Sequence, residues 1–520
     1  MLNDLFDKLY KPDVLSCLAD LSNDEVMTPP DIANKMLDLL PQELFSNPDT
    51  KILDPFCKSG VFLREAAKRF IEGEKDQFNS LQECIDWVFQ HQLYGIAITE
   101  LTSLLSRRSV YCSKYPNSPY SITVFDKDNA QGNILYHRIQ HEWEGKGENR
   151  RCKYCGASAS EYDRDNTLET YAYELIHTNK PEEILNMKFD VIIGNPPYQL
   201  NDGGGAGSAA TPIYQKFVEQ AERLNPKYLT MIIPSRWFAG GRGLDSFRDS
   251  MLNDNSIKVI HDFVDAKDCF SGVDIPGGVM YFLREHDYSG DCMIVSHINN
   301  EETIAYRQLN EFDINGKPVF IRYNEAVTIV NKILCKNETS FADIVSSSKP
   351  FGLRTTFRGE TVASKENPIK VYQNGGCGYT NKSFIDTEID YINKYNIFVS
   401  ASNGAASKTV PYSVISEPFV GDKGSVCTET FVQIGGFDSE EEAKNALTYL
   451  TTKFCRFLIA LLKSTPRATK IVYSFVPMQD FSKSWTDEEL YKKYSLTQEE
   501  IDFIEFLIKP MDFSGGNDDA

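Results

Sequence analysis

A parallel β-sheet flanked by helices is the fold class the sequence predicts, and three observations predict it. Short apolar runs that read as buried strands recur at residues 51–54, 93–98, 189–194 and 229–233. Stretches with helical periodicity separate them, as βαβ units require. The chain has 520 residues, 41% hydrophobic and 25% charged, the composition of a globular protein of about three domains.

The elements follow in order. Thr28-Pro29-Pro30-Asp31 opens a helix over 31–41 that ends at Pro41. The Thr/Pro/Pro start suits a helix N-terminus, because proline is tolerated in the first turn. A strand over 51–54 (KILD), a turn over 55–60 and a helix over 61–71 come next, then a strand over 93–98 (LYGIAI) and a helix over 99–110. Residues 111–170 break this rhythm and read as an insertion, with strand-like pieces at SITVFD and NILYHRIQHEW. The strand FDVIIG closes at Gly194, a low-complexity GGGAGSAA spans 203–210, and an amphipathic helix is predicted over 211–224. Beyond about residue 300 strands shorten and glycine turns multiply, and helices return at 439–463 and 486–508. This gives a first domain over 1–300 with its insertion at 111–170, an α+β region over 301–475 and an acidic helical end over 476–520.

Charge narrows the function classes. The net charge is −20, which disfavours nonspecific coating of a polyanion, so any nucleic-acid contact must come from local basic patches. No apolar run reaches the ~18–20 residues of a membrane span. The N-terminus lacks the basic segment of a secretory signal. Twelve cysteines scattered over a long chain fit reduced thiols better than a disulfide scaffold. A cytoplasmic location without a membrane partner is expected.

The chemistry concentrates at Asn195-Pro196-Pro197-Tyr198, directly after the apolar strand FDVIIG. Two prolines hold the turn, so the Pro196 carbonyl is fixed outside a sheet. The Asn195 amide oxygen lies beside it, at the carboxyl end of a strand where α/β folds bind ligands. Two converging acceptors and the flat face of Tyr198 suit a planar group that carries an exocyclic amine. Holding both amine hydrogens localises the nitrogen lone pair for attack on an in-line methyl sulfonium. Asp54-Pro55-Phe56-Cys57-Lys58-Ser59-Gly60-Val61-Phe62 follows the first strand and opens a helix, and such a turn can wrap an anionic or polar cofactor end.

The order TPP, DPFCKSG, NPPY resembles the amino-DNA methyltransferases of the γ arrangement, and more closely the adenine-N6 methylases of type II and related restriction–modification systems. The likeness extends to the stretch 227–282 (KYLTMIIPSRWF, IHDF, GGVMYFL) and to 451–508. It implies a Rossmann-like methyltransferase domain that uses S-adenosylmethionine. Thr28, Pro29, Asp54, Pro55, Phe56, Gly60 and Phe62 match cofactor-binding positions, and Asn195, Pro196, Pro197 and Tyr198 match the catalytic motif. Two positions depart. Lys58 stands where the family has its first glycine, and Ala97 stands where an acid would bind the ribose hydroxyls, with Glu100 or Thr99 as substitutes. The expected reaction is methyl transfer to adenine N6 in a specific duplex DNA sequence, as the modification component of a restriction–modification or related defence system. The alternatives are an RNA or protein-glutamine methyltransferase, and a catalytically weakened DNA-binding scaffold. Cytosine-C5 chemistry is excluded because it needs a Pro-Cys nucleophile, and that dipeptide is absent from the sequence.

Cys152-Lys-Tyr-Cys155-Gly156 has zinc-knuckle spacing. With Cys112 and His141 it would form a four-ligand structural zinc site, with His137 as the alternative imidazole. DNA contacts are expected from Arg236 and Arg242 near the catalytic loop, and from Arg354 and Arg358 in the later region, which resembles a target-recognition domain. Only ~25 residues precede Thr28, fewer than a nuclease domain needs. Cleavage is therefore expected on a separate restriction nuclease or helicase subunit.

Overall fold

The computed structural model describes residues 26–511, except 164–169, 201–210, 242, 271, 300, 403–409 and 464–466. The chain divides into two compact units, Met1–Glu311 and Phe312–Ala520.

The first unit is built on one nine-stranded sheet. Its elements are α1 (Pro30–Asp38), β1 (Ile52–Cys57), α2 (Val61–Glu74), α3 (Leu81–Trp87), β2 (Leu93–Ala97), α4 (Glu100–Tyr111) and β3 (Ile134–Leu135). A hairpin of β4 (Trp143–Glu144) and β5 (Arg151–Cys152) follows, then β6 (Val191–Gly194), β7 (Gln199–Leu200), β8 (Thr211–Pro212) and α5 (Tyr214–Arg223). The unit continues through β9 (Tyr228–Pro234), α6 (Asp245–Leu252), β10 (Ile257–Phe263), β11 (Val279–Glu285), β12 (Cys292–Ile298) and β13 (Glu301–Arg307).

The strand order is β13-β12-β10-β11-β9-β6-β1-β2-β3. From β3 to β9 all neighbours are parallel. The chain builds β1, β2, β3 outward on one side, then crosses to lay β6 and β9 on the other. The direction of construction therefore reverses between β1 and β6, and the carboxyl ends of strands at such a point are where α/β sheets bind ligands. Every residue of β1, β2, β6 and β9 is buried, as a sheet covered on both faces demands. Their continuous apolar runs made them readable.

Several expectations are corrected. The sheet is mixed, not wholly parallel, because β11 runs antiparallel between β9 and β10. Pro55 belongs to the end of β1, not to the turn. The strand continues to Cys57 through a register irregularity that begins at Asp54, and a proline is tolerated at such a bulge. Residues 211–212 form β8, paired with β7, so the helix starts only at Tyr214. SITVFD forms no strand, whereas the expected piece NILYHRIQHEW contains β3, which extends the main sheet beside β2.

The second unit combines small sheets with helices. Its helices are α7 (Asn324–Leu334), α8 (Glu440–Thr451), α9 (Lys453–Leu462), α10 (Asp487–Lys493) and α11 (Gln498–Leu507). Each of the two long helices expected here is broken by a threonine cap. Thr452 accepts the Cys455 N–H and starts α9. Thr486 and Thr497 form capping boxes with Glu489 and Glu500, which satisfies orphan amide groups at each start. A core of Phe351, Leu353, Val371, Ile385, Phe398 and Val426 fills the sheet portion.

Candidate active site

The two motif loops meet because β1 and β6 are neighbours. Their starts are tied by the Lys51 N–H, which donates to Asp190 Oδ2 at 2.9 Å. Their ends can approach because Gly194 has no side chain. A Cβ there would lie 2.7 Å from Phe56 Cδ2 and 3.0 Å from Asp54 Oδ1. Gly194 is thus a positioning residue, and the strand reading FDVIIG contained it without assigning it a role.

Asn195 is 3% exposed. Its Nδ2 donates to the Val26 carbonyl at 3.1 Å and to Thr28 Oγ1 at 3.0 Å. These two bonds spend both amide hydrogens and fix the orientation of the group. Asn195 Oδ1 and the Tyr198 hydroxyl are buried without a standard hydrogen bond. A buried acceptor without a well-formed bond costs stability, and the Tyr198 hydroxyl beside the amide oxygen offsets this only in part. Burial pushes the Tyr198 hydroxyl well above its ordinary range, so Tyr198 stays neutral. Pro196 and Pro197 are buried between β6 and β7, outside both strands.

Asp54 is 2% exposed, and its Oδ1 accepts the Phe56 N–H at 3.1 Å. Burial pushes its carboxyl up to about 7, against the opposing pull of that bond and of Lys58. Phe56 packs edge-on against Phe217 of α5, with centroids 5.1 Å apart. Gly60 caps α2 in the left-handed region at φ 72°. A Cβ there would meet the Ser106 carbonyl and Val110 at 3.0 Å. Phe62, 3% exposed, anchors the first turn of α2 in the core. Pro29 precedes α1 in an extended conformation, with Pro30 at the first helical position.

Lys58 is the residue whose role sequence reasoning missed. It is 6% exposed. Its Nζ donates to the Val26 carbonyl at 3.1 Å and lies 5.9 Å from the centroid of the Tyr198 ring. One carbonyl therefore receives both Lys58 and Asn195. The signal available was the charge itself, an ammonium in an otherwise apolar strand–helix turn.

The other expected residues divide. Glu100 is exposed at the first position of α4, just past Ala97 at the end of β2, and Thr99 is consumed by capping that helix. Arg236 is half-buried in the short helical turn after β9, and Arg242 lies outside the described residues. Arg354 and Arg358 are exposed in the second unit, where Arg358 Nη1 bonds the Thr355 and Phe357 carbonyls at 2.7 Å.

The expected metal set is corrected at one position. His141, Cys152 and Cys155 come together, but the fourth member is His177. Cys112 is exposed and ends α4 in the left-handed conformation at φ 62°. His137 is exposed too and pairs with Glu174 at 3.0 Å. The segment that carries His177 returns beside the knuckle only in the folded chain, so spacing could not reveal it.

A doubly covered α/β sheet with an Asn-Pro-Pro-Tyr loop and a cofactor-type turn at its switch point defines the class of amino-group methyltransferases. Residues 91–270 match the sequence model of the Eco57I restriction-modification methylases. A Mycoplasma pneumoniae protein described as an uncharacterized adenine-specific methylase is 35% identical over 349 residues, which is 59% of this chain and 83% of that protein. The chain belongs to the adenine-specific methylase family. Solved structures with a similar course include the type IIL restriction-modification enzyme MmeI in complex with DNA, at TM-score 0.47, 10% identity and 86% of this chain. A nuclease-deletion mutant of the type ISP enzyme LlaGI with a DNA substrate mimic gives TM-score 0.45, 13% identity and 87%. The chain spans 64% and 46% of these two proteins.

Proposed function

We propose that the protein transfers a methyl group from S-adenosylmethionine to the N6 amine of an adenine flipped out of a specific duplex DNA sequence. It would act as the modification component of a restriction–modification or related defence system. The observation that carries this reading is Asn195. Its amide hydrogens are held by Val26 and Thr28, and its buried oxygen makes no bond of standard geometry and faces only the neighbouring Tyr198 hydroxyl.

The residues present fit the cofactor. Asp54 offers a buried carboxyl, and the loop before α2 leads into a helix start held open by Gly60. S-adenosylmethionine would supply an electrophilic methyl group on a sulfonium. The protein's part is placement. Asn195 Oδ1 and the Pro196 carbonyl accept the two hydrogens of the adenine amine, which localises the lone pair on nitrogen. Tyr198 gives the base a neutral aromatic partner, and extrusion of the base isolates its amine from its pairing partner. Thr28, Pro29, Pro55, Phe56 and Phe62 shape the cofactor side, and Glu100 stands nearest in sequence to the missing ribose-binding acid. Arg236, Arg242, Arg354 and Arg358 contribute the positive charge that DNA requires. The insertion carries a small structural zinc knuckle.

A labelled-methyl assay on duplex DNA tests the reading. Incorporation at adenine N6 is expected, and Asn195→Ala should lower turnover by on the order of 10²-fold or more, as loss of one preorganised polar contact does elsewhere. Labelling of RNA or protein in place of DNA, or full activity in the alanine variant, would refute it.

A further inference from the structure

The knuckle carries more information than its spacing. The ligand-type atoms of His141, Cys152, Cys155 and His177 lie within 4.8 Å of one another, and three of these residues are buried. Outer partners fix both imidazole tautomers. His141 Nε2 sits 2.7 Å from the Thr170 carbonyl, so the proton is on Nε2 and the lone pair on Nδ1. His177 Nδ1 sits 2.8 Å from the Tyr173 carbonyl, so its lone pair is on Nε2. The two lone pairs face each other across 3.2 Å. The Cys155 sulfur faces the same His141 nitrogen at 3.5 Å. A proton could bridge one such pair at a time, whereas a single cation placed between them satisfies all of these electron-rich atoms at once.

We propose that His141 Nδ1, Cys152 Sγ, Cys155 Sγ and His177 Nε2 hold one zinc ion in a tetrahedral site. Zinc–nitrogen and zinc–sulfur bonds of about 2.0–2.3 Å place neighbouring donors roughly 3.3–3.8 Å apart, close to the His141–His177 and His141–Cys155 spans of 3.2 and 3.5 Å. Two thiolates with two imidazoles select zinc over hard oxygen-seeking cations, and their charge neutralises the ion. The carbonyls that orient the imidazoles are the usual outer support of such ligands. The Ala157 N–H points to Cys155 Sγ at 3.4 Å, and the Gly156 N–H closes the turn onto the Cys152 carbonyl at 2.9 Å. No position is left for water or substrate, so the site is structural.

The ion would also brace the catalytic side of the sheet. Lys216 of α5 donates to the Tyr154 carbonyl between the two cysteines. Gln220 Nε2 donates to the Thr178 carbonyl at 2.8 Å, next to His177. The Tyr173 ring packs on Phe217 at 5.5 Å, and Phe217 is the ring that supports Phe56. The site thus ties the insertion to α5, and α5 to the end of β1.

The experiment measures metal in the full chain after reconstitution with zinc, then replaces zinc by cobalt(II) and records the spectrum. One metal per chain is expected, with thiolate-to-cobalt charge transfer and the intense visible bands of a tetrahedral site. His177→Ala should weaken metal affinity at least tenfold, and Cys112→Ser should leave it unchanged. His177→Cys should keep one metal while shifting the cobalt bands toward a three-sulfur set, which separates ligation from misfolding. A wild-type chain that holds no metal after reconstitution overturns the proposal. So does Cys112→Ser as damaging as His177→Ala, or a His177→Cys spectrum identical to wild type. The site does not depend on the methylase reading: a zinc-replete protein without methyl transfer would refute that reading alone.

Discussion

At Lys58 a single side chain reshapes a motif. The ammonium is buried, and it reaches the carbonyl that also anchors Asn195. It therefore joins the segment before α1, the turn before α2 and the loop after β6 through one oxygen. Removing a charged donor from a buried bond costs about 1.5–3 kcal/mol. Lys58→Met should accordingly raise the KM for the cofactor about tenfold or more, with a smaller change in kcat, because Asn195 keeps its bond to Thr28. Steady-state kinetics check this, and an unchanged KM would assign Lys58 to the fold alone. Asp54 makes a second prediction at this scale. Burial raises its carboxyl to about 7, so the folded protein retains a proton there that the unfolded chain loses near pH 4. Its contribution to stability is therefore greatest below pH 4 and declines as pH rises to 7. A cationic cofactor favours the carboxylate, so binding releases that proton. Cofactor affinity should rise with pH from 5.5 and level off above about 7, and Asp54→Asn should flatten the profile. Titration calorimetry across that range, with parallel slopes in both proteins, would contradict the assignment.

Elements explain why some of this was legible in the sequence. β1, β2, β6 and β9 are buried on both faces, so each appears as an unbroken apolar run, and the motifs at their carboxyl ends were found with them. The expected helix began at Thr486 as observed, but the second capping box, also written as Thr-x-x-Glu at Thr497, was passed over by helical periodicity, which merged α10 with α11. The piece NILYHRIQHEW was legible as strand-like, but that only Ile134–Leu135 of it pairs, and beside β2, depends on partners distant in sequence. β11 alternates in no way that reveals its direction, since direction depends on partners distant in sequence. Lys58 and His177 were missed for the same reason: their roles rest on Val26, Tyr198 and His141, which spacing does not bring near. The element-scale prediction concerns the approach of β6 to β1. Gly194→Ala places a methyl group 2.7 Å from the Phe56 ring and 3.0 Å from Asp54. Overpacking of this kind costs typically about 1–3 kcal/mol, and here the atoms that must yield are the cofactor loop itself. The variant should fold with a lowered Tm and lose most of its cofactor affinity. Retention of wild-type affinity would show that the site tolerates a wider separation of the two strands.

On the scale of the whole molecule, charge decides how a methylase of this composition could hold DNA. The chain carries 74 acidic and 54 basic residues, so the long-range field repels a polyanion. Part of the excess acid lies in residues 474–520, with eleven acids and four bases, and the acidic first turns of α10 and α11 within it also favour their own N-termini. Attraction must then come from a few phosphate contacts at short range, and each contact releases counterions. Binding of a cognate duplex should be steeply salt-dependent, while binding of random DNA should be very weak even at low salt. Arg354 and Arg358 are exposed in the second unit and serve as the test positions. Arg354→Ala should lower the slope of log Kd against log salt by about one if the side chain meets a phosphate. If it reads a base edge, discrimination at one position of the site should relax, at a cost of about 1–3 kcal/mol. Fluorescence anisotropy on cognate and single-substituted duplexes, from low to moderate salt, distinguishes the two. A slope and a sequence preference both unchanged in Arg354→Ala and Arg358→Ala would remove these residues from the DNA interface, leaving the basic residues after β9 to carry it.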